Sequence, residues 1–90
     1  EPWQTFTSIK PFPNPFSDIL MIQYEQKITA ENLLTSRDLQ GKVVYQESMG
    51  RVNAGAQAFQ LELPVDLVKG IYLLEVSNEY NTSVLRIVKQ

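Results

Sequence analysis

Ninety residues, 43% of them hydrophobic and 20% charged, without cysteine or histidine and with a formal net charge of -2, describe one small domain held by its core alone. No disulfide can staple it, no thiolate can act as nucleophile or ligand, and eight Lys and Arg spread among ten Asp and Glu leave no basic stripe for nucleic acid. The longest apolar runs, Ile19-Leu20-Met21-Ile22 and Ile71-Tyr72-Leu73-Leu74, fall far short of the roughly 20 residues of a membrane helix, so no transmembrane segment is expected. An opening of Glu1-Pro2-Trp3, with no initiator Met, basic n-region or apolar h-region, is what a chain cut or processed from a longer protein would show.

The hydrophobic period is two almost throughout. Trp3, Thr5, Thr7 and Ile9 alternate weakly, and residues 1–10 read as a linker or a weak edge strand. Pro11-Phe12-Pro13-Asn14-Pro15-Phe16 follows; its three prolines deny ladder donors and hold the backbone extended. Leu20, Ile22 and Tyr24 then set the inward face of a first clear strand. Residues 33–38 are two-sided: Leu33, Thr35 and Arg37 compete with Leu34, Ser36 and Asp38. Leu34 is the better inward choice, because the other face would bury the Arg37 charge without an obvious partner. Asp38-Leu39-Gln40-Gly41 has Asp first and Gly fourth, the pattern of a type I turn closing on a left-handed glycine, and joins 33–38 to 42–48 as a hairpin. Val43-Val44-Tyr45-Gln46 shows no clear inward face. Residues 49–55 read as a loop before a half-buried strand carrying Phe59, Leu61 and Leu63. Asp66-Leu67-Val68-Lys69 has room for one turn. Residues 70–77 and 82–89 form a second hairpin across Ser77-Asn78-Glu79-Tyr80-Asn81, with Tyr72, Leu74, Val76, Leu85 and Ile87 inward. The expected fold is all-β: a small antiparallel Ig-like β-sandwich of six to seven strands.

The chemistry available is thin. Without histidine no serine or threonine has its usual base, no lysine is paired by spacing with a serine, and no carboxylate pair stands out among Asp18, Asp38, Asp66 and the seven glutamates. No catalytic residue, metal ligand set or cofactor is expected, and the chain does not read as an enzyme; Asp66 reads as a solvated loop acid. Asn81-Thr82-Ser83 matches a glycosylation sequon but sits where a turn is needed. Trp3, Phe6, Phe12, Phe16, Tyr45 and Tyr80 would serve as a sugar-stacking platform if they shared a face; covering the sandwich ends is the expected role of most.

Four blocks in order carry a resemblance. They are Phe12-Pro13-Asn14-Pro15-Phe16-Ser17-Asp18 before Leu20 and Ile22; Asp38-Leu39-Gln40-Gly41-Lys42-Val43-Val44; Leu63 to Lys69 leading into Gly70-Ile71-Tyr72-Leu73-Leu74; and Ser83-Val84-Leu85-Arg86-Ile87-Val88-Lys89. Together they resemble the C-terminal sorting domain, type A, of the bacterial type IX (Por) secretion system, over residues 11–90. Arg37 stands where that family commonly has an aromatic, and Gln90 follows the last lysine. The resemblance implies the tail of a cargo protein of a Bacteroidetes-type bacterium. Such a tail is recognised by the outer-membrane translocon and its shuttle components, then usually removed by a sortase-like surface protease, with the upstream cargo domain released or attached to lipopolysaccharide. Localisation would be periplasmic in transit, then secreted or at the cell surface. Pro13, Asn14, Pro15, Gly41, Gly70, Tyr72 and Lys89 are the sorting-signal motif this implies.

Two recognition modes are open at this stage. The last two strands present the signal through Gly70, Tyr72 and Lys89, against the reading in which Gly70 permits a tight strand entry, Tyr72 is core and Pro13-Asn14-Pro15 fixes an entry angle. Alternatively residues 82–89 form an exposed edge that takes up a strand of the export machinery. The rival class is an Ig-like spacer or carbohydrate-binding module of a multidomain secreted protein.

Overall fold

The computed structural model describes residues 5–64 and 66–90. Seven strands run in chain order: β1 (Phe6–Phe12), β2 (Leu20–Gln26), β3 (Ala30–Arg37), β4 (Val43–Val52), β5 (Gly55–Leu61), β6 (Gly70–Ser77) and β7 (Thr82–Lys89). They form two antiparallel sheets, β1-β2-β5 and β4-β3-β6-β7. Chain neighbours β2 and β3, and likewise β4 and β5, thus lie in opposite sheets, which is the Ig-like sandwich order.

Alternation decides the core. Leu20, Ile22 and Tyr24 from β2 and Tyr72, Leu74 and Val76 from β6 face each other across the sandwich, with Phe6, Leu34, Leu61 and Ile87 completing the layer. Each such side chain contributes about 1.5–3 kcal/mol on burial. Phe6 packs edge-on against Tyr24, with ring centroids 5.5 Å apart. Phe16 and Leu63, outside the strands, plug one end. The other end carries a polar insert: Asn32 Nδ2 donates to Tyr24 Oη (2.5 Å) and to Gln26 Oε1 (2.7 Å), and Gln26 Nε2 donates to Val52 O (2.9 Å). All three side chains are buried, so these bonds tie the two sheets together where the apolar layer stops.

The hairpins form where the turn chemistry places them. Gly41 N donates to Asp38 O (3.0 Å), Gly41 has φ +91°, and the Asp38 carboxylate accepts from the amides of Gln40 and Lys42 (3.0 and 2.9 Å). In the second loop Asn78 Oδ1 accepts from Tyr80 and Asn81 N. Leu34 faces inward as expected, and Ser36 is buried beside it with its hydroxyl unpartnered.

Several expectations change. Residues 6–12 are a full edge strand that runs through Pro11, with a bulge between Thr7 and Lys10; Trp3 lies outside the described residues. The segment 49–55 is mostly strand, because β4 continues to Val52 and only Asn53 and Ala54 carry the chain to the other sheet. Arg37 does have a partner: its Nε donates to Glu75 on β6 (3.0 Å) and its Nη1 to Gly41 O (3.2 Å). Among the described residues the aromatics form no platform, since Phe6 and Phe16 are core while Phe12 and Tyr80 stand at opposite ends.

Candidate functional site

One end of the sandwich collects the motif. Gly70 pairs with Lys89 at the end of the β6–β7 ladder, and the β3–β4 turn around Gly41 lies at the same end, because Arg37 pairs with both Val43 and Leu73. The Pro13-Asn14-Pro15 segment arrives there from β1, with the Phe12–Pro13 and Asn14–Pro15 bonds both cis. All seven sequence-selected residues therefore meet at one end.

Most of them act on the chain itself. Asn14 brackets the edge of β7: Val88 N donates to its Oδ1 (2.9 Å) and its Nδ2 donates to Arg86 O (3.2 Å). Phe16 extends the bracket as main chain, with Phe16 N donating to Val88 O (2.9 Å) and Gln90 N to Phe16 O (2.7 Å). A carboxamide offers one donor and one acceptor, as a strand residue does, so Asn14 caps the edge. This revises the edge-pairing expectation: from Arg86 O onward the β7 edge is occupied, leaving Thr82, Val84 and the Arg86 amide, which share the outward phase of Val88, without a partner among the described residues.

Tyr72 is 4% exposed and donates from its hydroxyl to Val68 O, four residues upstream, at 2.6 Å. A tyrosine near the start of this strand, bonding back to the preceding loop, is the corner found in Ig-type sandwiches. It pins the loop before Gly70. Gly70 has φ +147°, and an added Cβ would meet nothing within 4 Å, so its requirement is conformational. Lys89 is half-buried, its ammonium donating to Gln90 O (3.0 Å).

The surface these residues support is an open groove of about 610 Å³ between the β3–β4 turn and the loop before Gly70. Its lining includes Leu39 and Val68, 63% and 73% exposed, together with the exposed Val43 and Ile71. Phe12 and Ile19 are exposed at the same end. Lys42, Lys69, Asp38 and Asp66 rim the groove, two charges of each sign. Sequence reasoning missed these apolar residues. The signal was a leucine at the second position of a β-turn and a valine in a polar loop, where solvent exposure argues against both.

Among the described residues no group of three or more Asp and Glu is placed to hold a metal. Nor, among the described residues, is any helix long and apolar enough to cross a membrane. Asn81, the sequon residue, uses its Oδ1 to accept from Thr5 N (2.7 Å), and Asn78 Nδ2 donates to Thr5 Oγ1 (3.0 Å), closing the flank between β1 and the β6–β7 loop.

The family model of the secretion system C-terminal sorting domain matches residues 10–90. The chain belongs to this family. No curated protein matches it. The sorting domain is thus a C-terminal signal for type IX secretion: it interacts with the secretion machinery, and the protein carrying it is secreted or displayed at the cell surface. In the sorting domain the motif blocks are the parts that build the grooved end, with Asn14 and Tyr72 as its two internal struts.

Proposed function

We propose that the secretion machinery docks on the grooved end of the sorting domain, with Leu39, Val43, Val68 and Ile71 making the contact. Asn14, Gly41, Gly70 and Tyr72 shape and hold that surface. The observation that carries this reading is a division of labour. Of the motif residues, Tyr72 is buried, Asn14, Gly41 and Lys89 bond internally and Gly70 pairs in the β6–β7 ladder, while six of the eight large hydrophobics exposed among the described residues lie at the end they build. Exposed apolar side chains gathered on a small charged domain mark an interaction surface.

In this reading the translocon and its shuttle components recognise the folded sandwich after the cargo has entered the periplasm. A sortase-like protease at the surface then separates the sorting domain from the upstream cargo domain. The sorting domain does no chemistry and needs no cofactor; catalysis belongs to the cargo. Site-specific photo-crosslinking tests the docking face. A crosslinker at Leu39 or Val68 is expected to capture outer-membrane components of the export apparatus, whereas one at Tyr80, on the opposite end, captures none. Equal capture from Tyr80, or capture from Tyr80 alone, would place docking elsewhere.

A further inference from the structure

The four sheet edges are not equally protected. β1 carries Lys10, Pro11 and a bulge. β4 carries Glu47 and Arg51 and two register shifts. β7 is bracketed by Asn14 and Phe16. These are the usual devices that stop edges from pairing. β5, the fourth, has none: Gly55-Ala56-Gln57-Ala58-Phe59-Gln60-Leu61 contains no charge and no proline, and pairs with β2 over seven consecutive residues without a shift. Outside that ladder, no hydrogen bond among the described residues reaches a backbone group of 55–61. The outward side chains Ala56, Ala58 and Gln60 are small or uncharged.

We propose that β5 is a self-association edge, pairing antiparallel with β5 of a second copy about a two-fold axis at Ala58. That register engages the whole strand, setting Ala56 against Gln60, Gln57 against Phe59 and Gly55 against Leu61, with Ala58 opposite itself. No pair carries a charge, and Glu62, the first acid past the strand, falls opposite Ala54. The partner chemistry is therefore that of the strand itself, and an isologous dimer closes without leaving an edge to propagate. It joins two three-stranded sheets into one continuous sheet. The grooved end stays free, because β5 meets β4, not the groove, on its flank: the cleft beside its end is lined by Tyr45, Glu47, Gln60 and Glu62.

Sedimentation velocity of the 90-residue chain over a range of concentrations is the test. The wild type is expected to show a concentration-dependent monomer–dimer equilibrium. Ala58→Lys and Ala58→Glu each place like charges directly opposite at the axis and are expected to weaken the dimer about tenfold or more, with melting unchanged at concentrations where the wild type is monomeric, because Ala58 is exposed. A mixture of the two variants should dimerise again. A chain monomeric at every concentration would overturn the proposal. So would a dimer that survives Ala58→Lys but is lost on Val84→Lys or Leu39→Asp, or a monomer whose β5 takes up an extended peptide of another protein.

Discussion

At Tyr72 a single oxygen separates support from recognition. The ring is core and the hydroxyl holds Val68 O at 2.6 Å. Tyr72→Phe keeps the ring and leaves that carbonyl without its donor, so the expected loss is about 1–2 kcal/mol in urea unfolding. Gly70→Ala meets no neighbour within 4 Å and loses stability only through its φ of +147°, about 1–2 kcal/mol by the same measurement. A loss of 4 kcal/mol or more would mean a clash the backbone geometry does not contain. Two other tyrosines report on packing. Burial raises the Tyr24 phenol above its ordinary value against the opposing bond from Asn32, and burial with the hydrogen bond and charge of Glu47 pushes Tyr45 up to about 12. The unfolded chain therefore releases these protons first, near 10. Their contribution is complete below pH 10 and is lost as the pH rises above 10, for Tyr45 towards about 12. Stability measured against pH should fall through that window, and Tyr24→Phe should flatten the fall.

At the scale of elements, Asn14 decides how much of β7 is an edge. In hydrogen exchange the Val88 amide, bonded to Asn14 Oδ1, should be protected, whereas the Val84 amide in the same outward phase exchanges freely. In Asn14→Ala, Val88 should exchange like Val84, and stability should drop by about 1–3 kcal/mol for the two lost bonds. The strands were legible wherever one face was apolar and the other polar. β2, β5, β6 and β7 follow from Leu20, Ile22, Tyr24, Phe59, Leu61, Tyr72, Leu74, Val76 and Ile87, and both hairpin loops follow from Asp38, Gly41 and Asn78. The reading of 49–55 as a loop failed because Gly50 and Gly55, both at positive φ, look like punctuation in sequence but sit within or at the start of strands. The buried Asn32 and Gln26 were illegible for a related reason: their side-chain amides at inward positions donate to partners on the other sheet, which alternation cannot show.

For the whole molecule, the motif residues were legible as a set but their roles were not. Pro13-Asn14-Pro15, Gly41, Gly70, Tyr72 and Lys89 are far apart in the chain, and only the Ig-like crossing of strands between sheets brings them to one end. Once there, Tyr72 turns inward while Asn14 and Lys89 bond to the main chain, and the exposed apolar surface passes to Leu39, Val43, Val68 and Ile71, which lie within the same blocks but outside that set. Export is the most direct measure of that central claim. The domain is fused to a periplasmic fluorescent protein and expressed in a bacterium with a type IX system and in a strain lacking the translocon. Surface and medium fluorescence is then compared for the wild type, Leu39→Asp combined with Val68→Asp, and Tyr80→Asp. The wild type and Tyr80→Asp should be exported only where the translocon is present. The double variant should melt as the wild type does yet remain in the periplasm. A double variant that is folded and exported at the wild-type level would contradict the claim that this end of the sandwich is what the secretion machinery reads.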